Sequence, residues 1–129
     1  IKIALGSVAP LPVPLAFEVS GKDLATASPR TIALSDSDIR EAFQPITEKL
    51  VSAIMGILEV TPPELGADIM RQGMLLTGGG ALLRGFADRI TRATRIPVHV
   101  DSDPLTTVLR GAGITLDDPE KYRDLLIEC

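Results

Sequence analysis

Three consecutive glycines, Gly78-Gly79-Gly80, are the residues of this sequence best suited to hold a ligand. They follow the apolar run Met74-Leu75-Leu76-Thr77 and precede Leu83, Phe86, Ile90 and Ala93, which fall on one helical face. The predicted order is strand, turn without side chains, helix. Glycines let backbone approach a flat or charged ligand, and the amides that open a helix face it. The pattern is not a P-loop, because no Gly-Lys-Ser/Thr follows. Nor is it the dinucleotide fingerprint, since Gly78 opens GGGALLRG rather than G-x-G-x-x-G. Such a turn serves either a nucleotide or a tight structural corner, and the residues alone leave both open.

The remaining polar residues offer less. Arg89, Arg92 and Arg95 are spaced by three, with Arg84 nearby, and read as a solvated face opposite Phe86 and Ile90. No aromatic residues interleave with them, which removes the stacking element of single-strand binding. His99 is the single histidine, set between Val98 and Val100, with no cysteine or second histidine to share a metal. Asp103 before Pro104 is a helix cap by type, as are Ser35 to Asp38 and the pair Asp117-Asp118. No paired carboxylates or Ser/His/Asp order stand out, so no catalytic and no metal-ligating residue is assigned.

These residues need a frame. Lys2 to Leu5 reads as a helix end or a strand, and Val8 to Leu15, with Pro10, Pro12 and Pro14, as extended loop or edge. Phe17-Val19 and Thr31-Leu34 form a hairpin with a long connection and one wet face. Ile39, Phe43, Ile46, Leu50, Ile54, Ile57 and Leu58 define one buried helical stripe, which Pro45 kinks or splits. Thr61 caps a second helix, in a capping box with Glu64, and Gly73 takes its left-handed end. Met74–Thr77 is a buried strand, and Val98–Val100 pairs with it in parallel across a helix. Asp103-Pro104 starts a helix to about Leu116, and a last short helix covers Tyr122 to Ile127.

Composition narrows the class. The chain has 129 residues, 45% hydrophobic and 23% charged, so one folded domain with an aliphatic core is expected. The net charge of −4 disfavours general nucleic-acid binding. Cys129 is the only cysteine, which excludes an internal disulfide framework and fits a reducing compartment. Nothing at the front reads as a signal peptide, and prolines interrupt the longest uncharged run, Ile3 to Phe17. A soluble chain is expected. Its start at Ile1, without Met, reads as a fragment or trimmed product.

Three segments in order, Thr61-Pro-Pro-Glu-Leu65, Gly73 to Gly85 (GMLLTGGGALLRG) and Asp103 to Gly113 (DPLTTVLRGAG), strongly resemble the C-terminal part of MreB and Mbl, the bacterial actin-like shape-determining proteins. The hairpin FEVSGKDLATASPRTIAL and the opening Ile1 to Gly6 agree. The resemblance covers about residues 1–116. It implies an α/β actin-like ATPase (ribonuclease H-like) fold, of which this chain is a fragment. Residues 1–34 correspond to part of the small subdomain IIB, and residues 35–129 to part of subdomain IIA. By the same resemblance Gly78, Gly79 and Gly80 lie against the adenosine of ATP or ADP. Lys2 matches the lysine of an E-R-x-K element that reaches the ribose region.

The resembled family is a weak ATPase that forms ATP-dependent filaments directing cell shape and cell-wall synthesis. The implied setting is the cytoplasm, beneath the inner membrane. The implied partners are further copies of itself, cell-wall elongation proteins and the inner membrane through the parent, but no nucleic acid. The family's two phosphate-holding hairpins and its metal-linked and water-positioning acids have no counterpart in these residues. The fragment alone is therefore expected to carry only the adenosine side, to hold no ATP/ADP with Mg tightly, and not to hydrolyse ATP. Its small parallel sheet lacks the flanking strands of the resembled fold, so the isolated chain is expected to self-associate.

Two other readings share these features. One is a domain of another actin-superfamily enzyme such as a sugar kinase, with heat-shock chaperone ATPases a nearby variant. No substrate-binding Asp or Asn cluster supports it. The other is a stand-alone Rossmann-like nucleotide-binding module, against which stand the single strand–helix–strand unit and the lack of an acidic residue ending the second strand.

Overall fold

The computed structural model describes the chain from Ile1 to Leu125. A short helix α1 (Lys2–Leu5) leads through a Pro-rich segment to strands β1 (Ala16–Lys22) and β2 (Pro29–Ser35). The long helix α2 (Asp36–Val60) and the shorter α3 (Pro63–Gln72) follow. Strand β3 (Met74–Leu76), a 3₁₀ turn (Gly79–Leu82), α4 (Phe86–Thr94) and β4 (Val98–Val100) form the strand–helix–strand unit. Helix α5 (Thr107–Asp117) and a 3₁₀ turn (Arg123–Leu125) close the described chain. The expected last helix is thus a 3₁₀ turn as far as Leu125, and its end at Ile127 and Cys129 lie outside the described residues.

Strands β3 and β4 are parallel, with Met74 opposite Val98 and Leu76 opposite Val100. The core beside them is small and mostly aliphatic: Leu5, Ala81, Phe86, Ile90 and Ile96 are buried, Ile90 to 1% exposure. Helix α4 supplies its centre because Phe86 and Ile90 are four apart and point one way. Strands β1 and β2 form a separate antiparallel hairpin, Ala16 opposite Ser35 through Lys22 opposite Pro29. Both its faces are wet rather than one, with only Val19, Leu34 and Ser35 half-buried.

The start of α2 is legible. Ser35 is the N-cap, accepting from the Asp38 N–H while the Asp38 carboxylate accepts from the Ser35 N–H. The buried Asp36 ties this cap to the Pro-rich segment, accepting from the Leu15 N–H at 3.1 Å and from Arg40 at 2.9 Å. Pro45 does not split the helix, because it removes only one N–H and frees the carbonyl of Glu41, an exposed residue that water can reach. The expected buried stripe is only half realised. Ile39, Phe43, Ile54 and Leu58 are half-buried, but Ile46, Leu50 and Ile57 are exposed, because no element packs on that side.

Other local expectations change for identifiable reasons. The Thr61–Glu64 capping box is absent. Pro62 is the N-cap and Pro63 the first helical residue, so Glu64 sits one position too early. Thr61 instead ends α2, its hydroxyl donating to the Ile57 carbonyl at 2.8 Å. Gly73 has φ +84 but ψ −174, not the left-handed helical ψ, because the chain must pass Pro97. A Cβ there would lie 2.7 Å from the Pro97 carbonyl oxygen. Strand β3 is half-buried, not buried, as expected for a two-stranded sheet with an open side.

Candidate functional site

The glycine turn leaves the end of β3 with Gly78 at φ +75 and ψ −179, a conformation essentially confined to glycine. The Gly78 N–H donates to the Pro104 carbonyl at 2.7 Å. This bond pins the turn to the loop between β4 and α5. Gly79 and Gly80 are exposed. A Cβ on Gly78 or Gly80 would meet nothing within 4 Å, and one on Gly79 would touch only Leu105 Cδ2, at 3.7 Å. The turn is therefore not a close-packed corner. Its glycines leave open space that the chain does not fill.

The expected helix does not begin at the turn. One 3₁₀ turn covers Gly79–Leu82, the chain breaks over Leu83–Gly85, and α4 starts only at Phe86. The cause lies in the N-terminal segment. Ser7 pairs with Arg84 in a parallel bridge, and the Val8 N–H donates to the Arg84 carbonyl at 2.9 Å. The Arg84 guanidinium donates to the Ala4 carbonyl at 3.3 Å. These contacts place α1, and with it the exposed Lys2, against the segment that directly follows the glycines. The four residues Lys2, Gly78, Gly79 and Gly80 thus lie on two segments that the fold joins through Ser7 and Arg84.

The loop beside the turn is built around Asp101. Its carboxylate accepts from the Asp103 N–H at 3.0 Å and from Arg110 Nη2 at 2.9 and 2.8 Å. The Asp103 N–H, and then the Arg110 guanidinium, hold Asp101 at about 2, against a desolvation that would raise it. Asp103 does not cap α5, whose N-cap is Thr106. It closes the turn before it, accepting from the Thr106 N–H at 3.2 Å and the Thr107 hydroxyl at 3.1 Å. Sequence spacing does not reveal the Asp101–Arg110 pair, because nine positions across a loop match no helical or strand period. Both residues stand in or next to the DPLTTVLRGAG segment.

The other candidates resolve simply. His99 is exposed on β4 beside Gly73, and no cluster of potential metal ligands occurs among the described residues. The arginines are all exposed, as a solvated face requires: Arg84 reaches Ala4, Arg89 lies 3.8 Å from Glu48 and shares a cleft with Arg92, and Arg95 ends α4 at φ +62. Two clefts of about 370 and 460 Å³ flank Val8 and Pro10 between α2 and α4, with mixed charge from Asp88, Arg89, Arg92, Arg40 and Glu41. Neither includes the glycines, so the turn stands as an open wall. No helix among the described residues is long and apolar enough to cross a membrane.

The family model described as MreB/Mbl protein matches residues 1–124. The chain is 46% identical over 117 residues to the cell shape-determining protein MreB of Escherichia coli, covering 91% of this chain and 34% of that protein. It is 40% identical over 121 residues to the cell shape-determining protein Mbl of Bacillus cereus, covering 94% and 36%. The crystal structure of MreB5 of Spiroplasma citri bound to ADP superposes with a TM-score of 0.88 at 29% identity, over 95% of this chain and 37% of that one. The same protein bound to AMPPNP gives 0.87. The mixed α/β fold is therefore a partial actin-like ATPase fold, and the chain spans about a third of the length of the relatives it matches.

Proposed function

The chain belongs to the MreB/Mbl family, and we propose on that basis that it is the adenosine-side part of a bacterial actin-like cytoskeletal ATPase, from the C-terminal region of its parent. The parent forms ATP-dependent filaments that direct cell shape and cell-wall synthesis. Residues 1–34 form part of subdomain IIB and residues 35–129 part of subdomain IIA. The parent works in the cytoplasm beneath the inner membrane, with other copies of itself and cell-wall elongation proteins as partners.

One observation carries this reading. The glycine turn at the end of β3 has open space where side chains would stand, in a fold whose solved neighbours are bound to ADP and AMPPNP. Gly78, Gly79 and Gly80 hold one side of the adenosine through backbone approach, and Lys2 reaches its ribose from α1. A bound ATP or ADP with Mg supplies the phosphoryl chemistry. These residues bind and orient its nucleoside end. The two glycine-rich hairpins that hold phosphates in the resembled family have no counterpart in this sequence. Phosphoryl transfer depends on positioning and charge stabilisation around those phosphates, and no turnover by the chain alone is expected.

Calorimetry with ADP and ATP, together with a phosphate-release assay, tests the reading. Binding weaker than low micromolar and no phosphate release are expected. Low-micromolar affinity or turnover by this chain would refute it.

A further inference from the structure

The geometry points to Asp101 and Arg110 as positioning residues for the nucleotide-facing turn, acting through the Pro104 carbonyl. The inference rests on the reading of Gly78–Gly80 as the adenosine wall. The contacts form one chain. Arg110, on the first turn of α5, donates through Nη2 to both Asp101 oxygens at 2.9 and 2.8 Å. Asp101 Oδ1 accepts from the Asp103 N–H at 3.0 Å and from the Ser102 hydroxyl at 3.2 Å, bending the chain as it leaves β4. Asp103 then closes the next turn onto Thr106 and Thr107. The segment fixed in this way carries Pro104, whose carbonyl receives the Gly78 N–H at 2.7 Å, and Leu105, which backs Gly79.

The turn needs such a brace. Gly78 sits at positive φ with extended ψ, and glycine loses more conformational freedom on ordering than any other residue. Three glycines in a row have no side chains with which to pack themselves in place. A Cβ on Gly78 or Gly80 would have no neighbour within 4 Å, so no packing surface stands where their side chains would be. Among the described contacts, the Pro104 bond is the one that joins the Gly78 N–H to another part of the chain. Arg110 and Asp101 decide where that carbonyl stands. The Asp101 side chain is 13% exposed and that of Arg110 50%. The pair is a half-solvated strut that is not part of the buried core of Phe86, Ile90 and Ile96.

Amide exchange followed by NMR, with and without millimolar ADP, tests this on the wild-type chain, Arg110→Gln and Arg110→Lys. In Arg110→Gln, exchange at Gly78 is expected to accelerate about tenfold and the ADP dissociation constant to rise about fivefold, the scale of one charge-assisted bond to a half-exposed partner. The Met74 amide, which donates to Pro97 at the edge of the β3–β4 pair, is expected to exchange as in wild type. Arg110→Lys keeps the charge and is expected to recover at least half of both effects. Unchanged Gly78 exchange in Arg110→Gln, or equal acceleration at Met74 and Gly78, would overturn the inference. A wild-type chain whose resonances do not respond to ADP would refute the nucleotide site itself. The Gly78 exchange rates, read without ligand, would still decide the brace.

Discussion

Gly85 passes so close to Ala9 that a Cβ on the glycine would lie 2.6 Å from the Ala9 Cβ. Gly85 also sits at φ +77 and ψ 3, the left-handed conformation. This contact explains why α4 starts at Phe86. The N-terminal segment crosses the chain there, held by the Ser7–Arg84 bridge, and the helix cannot begin until the crossing is past.

Gly85→Ala is therefore expected to lower stability by about 2–4 kcal/mol, combining left-handed strain with overpacking. Gly111→Ala, inside α5 with nothing within 4 Å of its Cβ position, is expected to raise it by about 0.5–1 kcal/mol. Urea unfolding of the two variants checks the contrast in sign. Equal effects would mean that the Ala9 crossing is loose.

Gly79→Val is expected to fold normally and to block nucleotide-dependent assembly of the full-length parent. Positive φ in the turn belongs to Gly78, not Gly79, and a Cβ at Gly79 meets only Leu105 at an ordinary 3.7 Å. The valine then occupies only the open side, where adenosine is proposed to lie. Light scattering and circular dichroism together are the readout. Wild-type assembly by the variant would show that nothing approaches the turn.

Four carboxylates give the chain an acid limb. Asp101 is held at about 2, first by the Asp103 N–H. Asp23 is lowered by the Ala25 and Thr26 N–H groups, Asp36 by Arg40, and Asp38 by Ser35. Each folded value lies below the ordinary aspartate value of 3.8, so in that window the unfolded chain binds more protons. Their stabilisation is complete above about pH 5 and is lost as pH falls through 3.8 toward 2. Asp101→Asn is expected to be less stable than wild type at pH 6, with the gap closing by about pH 2. Urea midpoints across that range check it, and a gap independent of pH would contradict the ionic origin.

The chain exposes 9731 Å², whereas a folded monomer of 13.7 kDa exposes about 6,600 Å². The excess of about 3,100 Å² is at least what each partner of an obligate interface buries. Much of it is apolar: Ile46, Leu50 and Ile57 along α2, and Val108 and Leu109, each 73% exposed, on α5. The isolated chain is expected to form dimers or larger species. Sedimentation equilibrium at several concentrations decides it, and a strict monomer throughout would show that these faces tolerate water.

The sequence by itself determined what is local. Ser35 and Asp38 stand three apart and cap α2 as their types require. Alternation and turn residues place β1 against β2. The glycine run after Met74–Leu76 marks the turn, since no other residue type adopts the Gly78 conformation. What only the tertiary structure decided depends on residues far apart in sequence. Ala9 against Gly85 delays α4. Pro104 receives the Gly78 amide because Arg110 reaches back nine residues to Asp101. The stripe from Ile39 to Leu58 on α2 reads as uniformly buried in sequence, because periodicity marks a residue as apolar without saying what will cover it. Only the tertiary structure, in which α1, β2 and α4 lie against α2, leaves Phe43 and Ile54 half-buried and Ile46 and Ile57 exposed.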